Sequence, residues 1–531
     1  MCIPKEGVTT RGRQVGLPKH LNEYEIYTAY CLVSSSKNDP VNYQDAVKIK
    51  EWRDAMNKEL NAHKNLKPWE EADLPNGKIA IETKWVYRTK EDGTKKARVV
   101  ARGFQAQEEN PFEPTYSPVA RLSTIRLMLS IALQRQWEIR QLDIPTAFLN
   151  GKLDSEVYIY APLGLKSDSP VLKLNRALYG LKESPKIWND TFNDFATKNK
   201  FERSKFDCCL YYNQKIWILI YVDDMLVVGE EKEVGEAVKL LKDHFQAKDL
   251  NQVQNFLGMS ITRTENKITI NQKKFIEKLL ANFNMEDCKP KSTPMVKGFQ
   301  YSEGSEIINV PYRQLIGGLM YLSTTTRPDI TFSVSYLSRF LDKPTIETWN
   351  AGKRILRYLQ GTKELGLTFY KNTNTDNDLK LNGYSDADWA TDKNDRKSVS
   401  GCMILYGKNP ILWFSKKQTC IALSTAEAEY VAAAACAQEL INIKGLLHGF
   451  KVKNETILFC DNKSSIIMTK SNENSKRAKH IDIKNHFLKD LVQRKEIFVD
   501  YVPTDQNLAD MLTKALVKEI FVYIRGKTFI E

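Results

Sequence analysis

Two adjacent aspartates, Asp223 and Asp224, sit between the apolar runs Ile216–Tyr221 and Met225–Val228. Apolar flanks of that length describe strand, tight turn and strand, which carries the pair into a desolvated place where unpaired carboxylates are costly. A divalent cation would offset that cost, because carboxylate oxygens are the hard ligands that Mg2+ prefers. Two such ions can activate a hydroxyl and neutralise charge on a transferred phosphate. An Asp-Asp dipeptide also makes an ordinary type I′ turn, and alone it decides nothing. What lifts it is Gln141-Leu142-Asp143-Ile144-Pro145-Thr146-Ala147-Phe148-Leu149-Asn150-Gly151, where Asp143 follows a strand and precedes a turn. A third carboxylate is then available to the same metals.

A second set lies downstream. Asp386 falls on a strand, further strands run to Ile421, a helix is expected from Ser424 to Ile441, Asp461 ends a strand, and Asp510 starts a helix in the last segment. Four separated carboxylates, Asp386, Glu429, Asp461 and Asp510, suit two-metal hydrolysis. The helix offers two glutamates, and a rotation of about 100° per residue chooses between them. Its apolar stripe is Ala426, Tyr430, Ala433, Cys436, Ala437 and Leu440. Glu429 falls inside that stripe and is the expected ligand, whereas Glu427 falls off it and is expected to face solvent. Asp510 reads equally well as a charge at a helix N-terminus.

These residues need elements to position them. Residues 1–42, with Arg11-Gly12-Arg13 and Ser34-Ser35-Ser36, read as a flexible basic tether. From Asp45, the series Ala46, Ile49, Trp52, Met56 and Leu60 recurs at helical spacing and leads to a strand-like segment, 79–89. Asp92-Gly93 joins two alternating, heavily cationic segments into a hairpin. Such a hairpin suits phosphate contact, and equally a solvated edge kept soluble by lysines. Leu122–Leu133 and Trp188–Phe201 read as helices. Breaks near Pro290–Gly304 and Lys371–Asp378 set domain edges, dividing the chain into 43–290, 291–378, 379–516 and a C-terminal tail, 517–531. The helical stretch Trp349–Leu359, with Lys353, Arg354 and Arg357, reads as a grip on duplex backbone or as a solvated basic face.

The chain has 531 residues, 42% of them hydrophobic, with 78 Lys and Arg against 65 Asp and Glu, a net charge of +13. That balance favours a polyanionic partner. Nine cysteines without C-x-x-C spacing argue against a zinc knuckle or a disulfide framework, and no apolar stretch reads as a signal peptide or membrane span.

Asp143-Ile144-Pro145-Thr146-Ala147-Phe148-Leu149-Asn150-Gly151, Ala177-Leu178-Tyr179-Gly180-Leu181-Lys182-Glu183-Ser184-Pro185 and Tyr221-Val222-Asp223-Asp224 resemble, in order, the motifs of copia-type LTR retrotransposon Pol polyproteins. The segment Lys96 to Phe104 resembles the fingers of that family, and Phe256-Leu257-Gly258-Met259 its primer-gripping turn. The resemblance implies an α+β right-hand polymerase of fingers, palm and thumb (43–290, with a thumb or connection-like segment at 291–378). An α/β ribonuclease H-like domain with a mixed sheet follows. It makes Asp143 and Asp223 direct metal ligands with Asp224 in support, a ranking that opposite-facing neighbours on a strand would favour. It places Phe148 beneath the nucleotide sugar, excluding a 2′-hydroxyl, and lets Gly180 approach the incoming base or template. Lys182 and Arg98 become phosphate contacts. Retroviral enzymes carry Gln where Tyr179 stands. Ala-Glu-Tyr before an alanine-rich helix selects Glu429 again. The loop Tyr501–Gln506 lacks the histidine of many ribonucleases H, and His480 and His486 match the copia-type pattern instead.

The implied activity is an RNA-directed DNA polymerase with ribonuclease H, using Mg2+ or Mn2+ at two-metal sites in both domains. Its partners are an RNA template, a DNA primer, RNA/DNA hybrid and deoxynucleoside triphosphates. The implied setting is the cytoplasm, including virus-like particles, with access to the nucleus. The tether resembles the tail that follows integrase in such polyproteins, so the chain reads as a truncated element copy. The alternatives are a catalytically idle, domesticated nucleic-acid-binding descendant, which loss of a carboxylate would favour, and a polymerase of another right-hand family, which need not end in a ribonuclease H constellation.

Overall fold

The computed structural model describes residues 39–90, 93–106, 118–301, 305–372, 379–392, 395–470, 482–528 and 530–531. Most of the expected tether, Asp92 of the hairpin turn, much of the break after Lys371, and His480 lie outside the described residues. Ala46, Trp52, Met56 and Leu60 are buried along α1 (Tyr43–Ala46) and α2 (Lys50–Leu66), while Ile49, at the break between the two helices, is exposed. Strands β1 (Trp69–Glu71), β2 (Ala80–Ile81), β3 (Thr83–Thr89) and β4 (Lys95–Ala101) follow, so the stretch expected as one strand is two. β3 and β4 form the expected hairpin, from Thr83↔Ala101 to Thr89↔Lys95. Ala97, Val99 and Ala101 are buried in the core they share with α2, and strand alternation leaves Lys96 and Arg98 on the other face.

Next come α3 (Leu122–Arg135), β5 (Glu138–Asp143), β6 (Tyr158–Tyr160), β7 (Val171–Leu174) and α4 (Ser184–Lys198). They are followed by β8 (Glu202–Arg203), β9 (Leu210–Tyr212), β10 (Ile216–Tyr221), β11 (Asp224–Gly229), α5 (Glu231–Phe245) and β12 (Lys248–Gln252). Six strands make the palm sheet, in the order β12-β5-β11-β10-β9-β8. Trp217, Leu219, Leu226 and Val228 join the core built on α3, and Ile218, Ile220, Met225 and Val227 join that of α4 and α5. Both faces are covered, so the strand sequence is apolar without interruption.

Strands β13 (Asn255–Phe256), β14 (Met259–Arg263) and β15 (Lys267–Asn271) precede the helices α6 (Lys273–Asn282), α7 (Tyr312–Thr325), α8 (Thr331–Leu337) and α9 (Ile346–Gln360). β16 (Leu367–Tyr370) then returns to pair with β15, so residues beyond the expected edge at 290 complete the sheet that carries the Phe256–Met259 hairpin. Among the helices, Arg327 and Asp329 form a fully buried bidentate ion pair, and the Tyr358 hydroxyl donates to Asp329 at 2.6 Å. On α9, Arg354 donates to Thr293 (2.9 Å) and Arg357 to the Lys289 carbonyl (2.7 Å). Those two guanidiniums hold the chain's own 289–293 segment, which neither sequence reading of that helix foresaw.

The last part contains β17 (Leu381–Asp388), β18 (Val399–Tyr406), β19 (Asn409–Lys417), α10 (Thr425–Gly449), β20 (Thr456–Cys460), α11 (Lys463–Lys470), α12 (Asp482–Gln493), β21 (Phe498–Tyr501) and α13 (Lys518–Lys527). The sheet order is β19-β18-β17-β20-β21, antiparallel from β19 to β17 and parallel from β17 to β21. That is the mixed sheet expected. Residues 517–531, expected as a tail, instead bury Phe521 and Ile524 of α13 and bridge Ile530 to Leu367. Among the described residues, no helix is long and apolar enough to cross a membrane.

The palm and the mixed sheet share one core, and Arg126 on α3 stands at their junction. It is 4% exposed. Its guanidinium donates to the carbonyls of Ile411 (3.0 Å), Thr325 (2.8 Å) and Thr324, and lies 3.8 Å from the Trp413 ring centroid. Replacing it leaves three carbonyls unpaired around a cavity, a loss of about 3 kcal/mol. Arg126→Ala is therefore expected to lower the urea midpoint markedly, and Arg126→Lys, which cannot fork, to recover only part of it. An unchanged midpoint in Arg126→Ala would contradict this account.

Candidate catalytic centres

Backbone register builds the first centre. β11 lies between β10 and β5, and its first residue, Asp224, is directly opposite both Tyr221 and Asp143. Directly opposed residues share a sheet face, which sets Asp143 and Asp224 side by side. The turn residues are therefore Val222 and Asp223, not the Asp-Asp pair. Val222 adopts φ +56°, an unfavourable conformation for a β-branched residue. Two contacts hold it there: the Trp188 indole N–H donates to the Val222 carbonyl (2.8 Å), and the Ile144 N–H donates to the Asp223 carbonyl (2.8 Å). Because Asp223 belongs to a turn, the alternation of strand faces does not rank it above Asp224.

The basic hairpin covers this cluster. Arg98 donates to Asp223 at 2.9 Å, and the Tyr179 hydroxyl reaches both Asp223 oxygens at 2.8 and 2.9 Å. Burial raises the pKa of Asp223, against the opposing pull of Arg98, Tyr179 and Lys96. Burial, then the charges of Asp143 and Asp223, push Asp224 up to about 6. Lys96 is lowered by burial and by Arg98. The Lys96 and Arg98 face is thus turned towards the carboxylates rather than being a solvated edge.

The remaining expected nucleotide contacts divide. Phe148 is 7% exposed, packs edge-on against Tyr179 with centroids 4.7 Å apart, and borders a small cavity with Pro185, Trp188 and Val222. Gly180 has φ +93°, and a Cβ there would stand 2.1 Å from the Ala101 carbonyl. Its glycine is demanded by the close pass of β4, whose Ala101 N–H donates to the Tyr179 carbonyl at 2.8 Å. Lys182 is exposed. Arg98, expected on phosphate, is occupied by Asp223.

The second centre gathers at the carboxyl ends of two parallel strands. Ser385 of β17 is in register with Cys460 of β20, so Asp386 and Asp461 follow side by side. Glu429 of α10 accepts the Ala387 N–H at 3.1 Å, and Thr513 donates to Asp386. Asp510 lies in a single 3-10 turn, Asp510–Leu512, rather than starting a longer helix. Lys514 pairs with Asp510 and lies 4.0 Å from Asp386. Burial, joined by Asp510 and Asp461 and opposed by Lys514, moves Asp386 up to about 7; burial, Asp386 and Asp461 move Glu429 up to about 9. Burial also raises Asp510, against Lys514. Glu427, expected in solvent, is 8% exposed and folds back as a helix cap, accepting the Leu423 N–H at 2.6 Å while its own N–H donates to Ser424. The N-terminal half of α10 is buried nearly all round, so position off the apolar stripe did not mean exposure. His486 is exposed on α12.

The donor set suits divalent ions. Glu429 keeps one oxygen, Oε2, buried and without a hydrogen-bond partner, an arrangement costly unless a cation completes it. Glu429, Cys460 and Asp461 bring ligand atoms within 4.8 Å of one another. The Asp143, Asp223 and Asp224 cluster is not drawn together to that extent, with Asp223 turned to Arg98 and Tyr179. Sequence reasoning missed Asp388, Cys460, Thr513 and Lys514, and did not place Lys96 and Tyr179 beside Asp223. Asp388 was legible: it shares the Asp386 face of β17 by alternation, and its charge acts on Asp510 and Lys514.

Residues 66–297 match the family model described as Reverse transcriptase (RNA-dependent DNA polymerase). This part of the chain is similar to reverse transcriptase domains. The whole is 37% identical over 525 residues to the Retrovirus-related Pol polyprotein from transposon TNT 1-94 of Nicotiana tabacum, covering 93% of this chain and 39% of that protein. It is 36% identical over 512 residues to the Pol polyprotein from transposon RE1 of Arabidopsis thaliana, covering 93% and 35%. The copia-type resemblance thus extends through the mixed sheet, and the chain spans under two fifths of the length of these two curated relatives. A foamy viral protease-reverse transcriptase in complex with ds DNA aligns over 86% of this chain and 70% of its own, with TM-score 0.47 and 13% identity.

In the mixed-sheet domain, Asp386, Glu429 and Asp510 hold protons more tightly folded than unfolded. The metal-free fold therefore loses stability as pH rises from the ordinary carboxylate range through about 9. With chelator present, the melting temperature is expected to fall between about pH 5 and about pH 9, and Glu429→Gln to flatten that slope. Identical slopes in both proteins would count against the arrangement.

Proposed function

We propose that the chain copies RNA into DNA from a primer and hydrolyses the RNA strand of the resulting hybrid. The observation that carries this reading is the register that sets Asp224 opposite Asp143, with Asp223 at the turn beside them beneath a cationic hairpin. Mg2+, with Mn2+ as an alternative, would activate the attacking hydroxyl or water and neutralise charge on phosphate in both centres.

In the polymerase centre Asp143 and Asp223 would hold the ion directly, as the family motif implies, with Asp224, opposite Asp143, in support. Arg98, now on Asp223, and exposed Lys182 would meet triphosphate or template phosphate. Phe148, held by Tyr179, walls off the space of a 2′-hydroxyl. In the nuclease centre Asp386, Glu429, Asp461 and Asp510 hold the ions, and Lys514 balances their charge in the absence of metal. The work would be done in the cytoplasm, in virus-like particles, with access to the nucleus. A catalytically idle copy has less in its favour, since all seven carboxylates are present.

Given a primed RNA template, deoxynucleotides and Mg2+, the full chain is expected to extend the primer and shorten the RNA of the hybrid. Asp223→Asn should abolish extension alone, and Asp386→Asn hydrolysis alone. The reading falls if wild type extends nothing or if Asp223→Asn extends equally well. Phe148→Val should raise ribonucleotide use at least about tenfold, equivalent to about 1.4 kcal/mol of lost discrimination; an unchanged ratio would return Phe148 to plain packing.

A further inference from the structure

The nuclease centre contains a sulfur that its proposed chemistry does not use. Cys460 closes β20 one residue before Asp461. Its Sγ and the carboxylates of Glu429 and Asp461 supply three donor atoms that all lie within 4.8 Å of one another. Cys460 is 1% exposed and Glu429 is 6% exposed. Glu429 gives one oxygen to the Ala387 N–H and leaves the other buried and unpartnered.

We propose that Glu429, Cys460 and Asp461 form a mixed sulfur–oxygen site that captures a thiophilic divalent ion such as Zn2+ or Cd2+, and that this capture switches off RNA hydrolysis while sparing DNA synthesis. Thiolate selects softer ions than carboxylates alone do. Tetrahedral coordination at bond lengths of about 2.0 to 2.3 Å needs donors about 3.5 Å apart, a modest contraction of the present spacing. On binding, the S–H bond of Cys460 breaks, a sulfur–metal bond forms, and its proton, with the one Glu429 carries below about pH 9, leaves to solvent, so no oxidant or reductant is involved. Glu429 and Asp461 are thereby withdrawn from Mg2+. The aspartate cluster at the palm turn offers no such combination of donors.

Asp207, Cys208 and Cys209 meet the same distance criterion but carry no equivalent argument. Both Asp207 oxygens are engaged, Oδ2 by the Arg121 N–H and the Thr124 hydroxyl and Oδ1 by the Cys209 N–H.

The inhibitory consequence rests on the nuclease reading above; the binding does not. The full chain, free of nucleic acid, is titrated with Cd2+ while the near-ultraviolet cadmium–thiolate band is followed, beside Cys460→Ser, Cys460→Ala and a Cys208→Ser/Cys209→Ser double variant. Wild type and the double variant should develop the band at one equivalent. Both Cys460 variants should lose it and bind Cd2+ at least about tenfold more weakly, with melting temperatures confirming that they fold. In Mg2+ with micromolar Zn2+, wild-type hydrolysis should stop and Cys460→Ser hydrolysis continue, with extension unaffected in both. A band unchanged in the Cys460 variants overturns the site, and equal Zn2+ sensitivity overturns the switch. Absence of hydrolysis in Mg2+ alone would instead sink the nuclease reading and leave the Cd2+ result standing.

Discussion

A buried guanidinium with no ion pair among the described residues is the contact on which the larger architecture turns. Arg126 cannot shed its charge at ordinary pH, although burial lowers its pKa to about 9, so its surroundings must solvate it. They do so with carbonyls from the end of α7 and from β19 and with the face of Trp413. One side chain on a palm helix thereby fixes the thumb-like helices and the mixed sheet together. Around it the Trp413 indole donates to Ser323, Asn409 to Ser130, and Trp217 stacks on Phe450 at 3.9 Å. The two carboxylate clusters are consequently parts of one packed body.

Each cluster comes with its own cations. Arg98 and Lys96 face the palm aspartates, and Lys514 faces Asp386 and Asp510. Without them, several desolvated anions would repel one another across a few ångströms. The protein thus carries partial neutralisation as part of the fold, and an arriving metal competes with a side chain rather than filling bare negative charge. The palm turn adds conformational tension through Val222, restrained by Trp188 and Ile144.

Much of this was readable before any coordinates, because periodicity survives translation into structure. The uninterrupted apolar run around Asp223 gave a strand pair buried on both faces, and the stripe on α10 singled out Glu429. What periodicity does not specify is register or surroundings. The run could not tell that Val222 and Asp223, rather than both aspartates, form the turn, since a β-branched residue is a poor choice there and is held by Trp188 of α4, 34 residues earlier in the chain. Glu427 was misplaced because a helix walled in along its first half has no solvent side for an off-stripe residue. Gly180 also accommodates the close pass of β4, a neighbour that sequence alone does not name. Arg126 did leave a signal, as a charge in the middle of a largely apolar helix, but nothing in sequence says which carbonyls receive it.

The pairing of Ile530 with Leu367 has a mechanical consequence. β16 leads into the mixed-sheet domain, and the residues that leave that domain come back to β16, where Gly366 and Glu531 exchange backbone hydrogen bonds of 2.9 and 3.1 Å. Entry and exit strands are stitched at one point, like the two ends of a loop tied at the neck. A domain on a single tether can swing about it; one tied at both ends must break the knot before it can turn. The seam thus adds a second tie to the shared core that already holds the mixed-sheet domain in place.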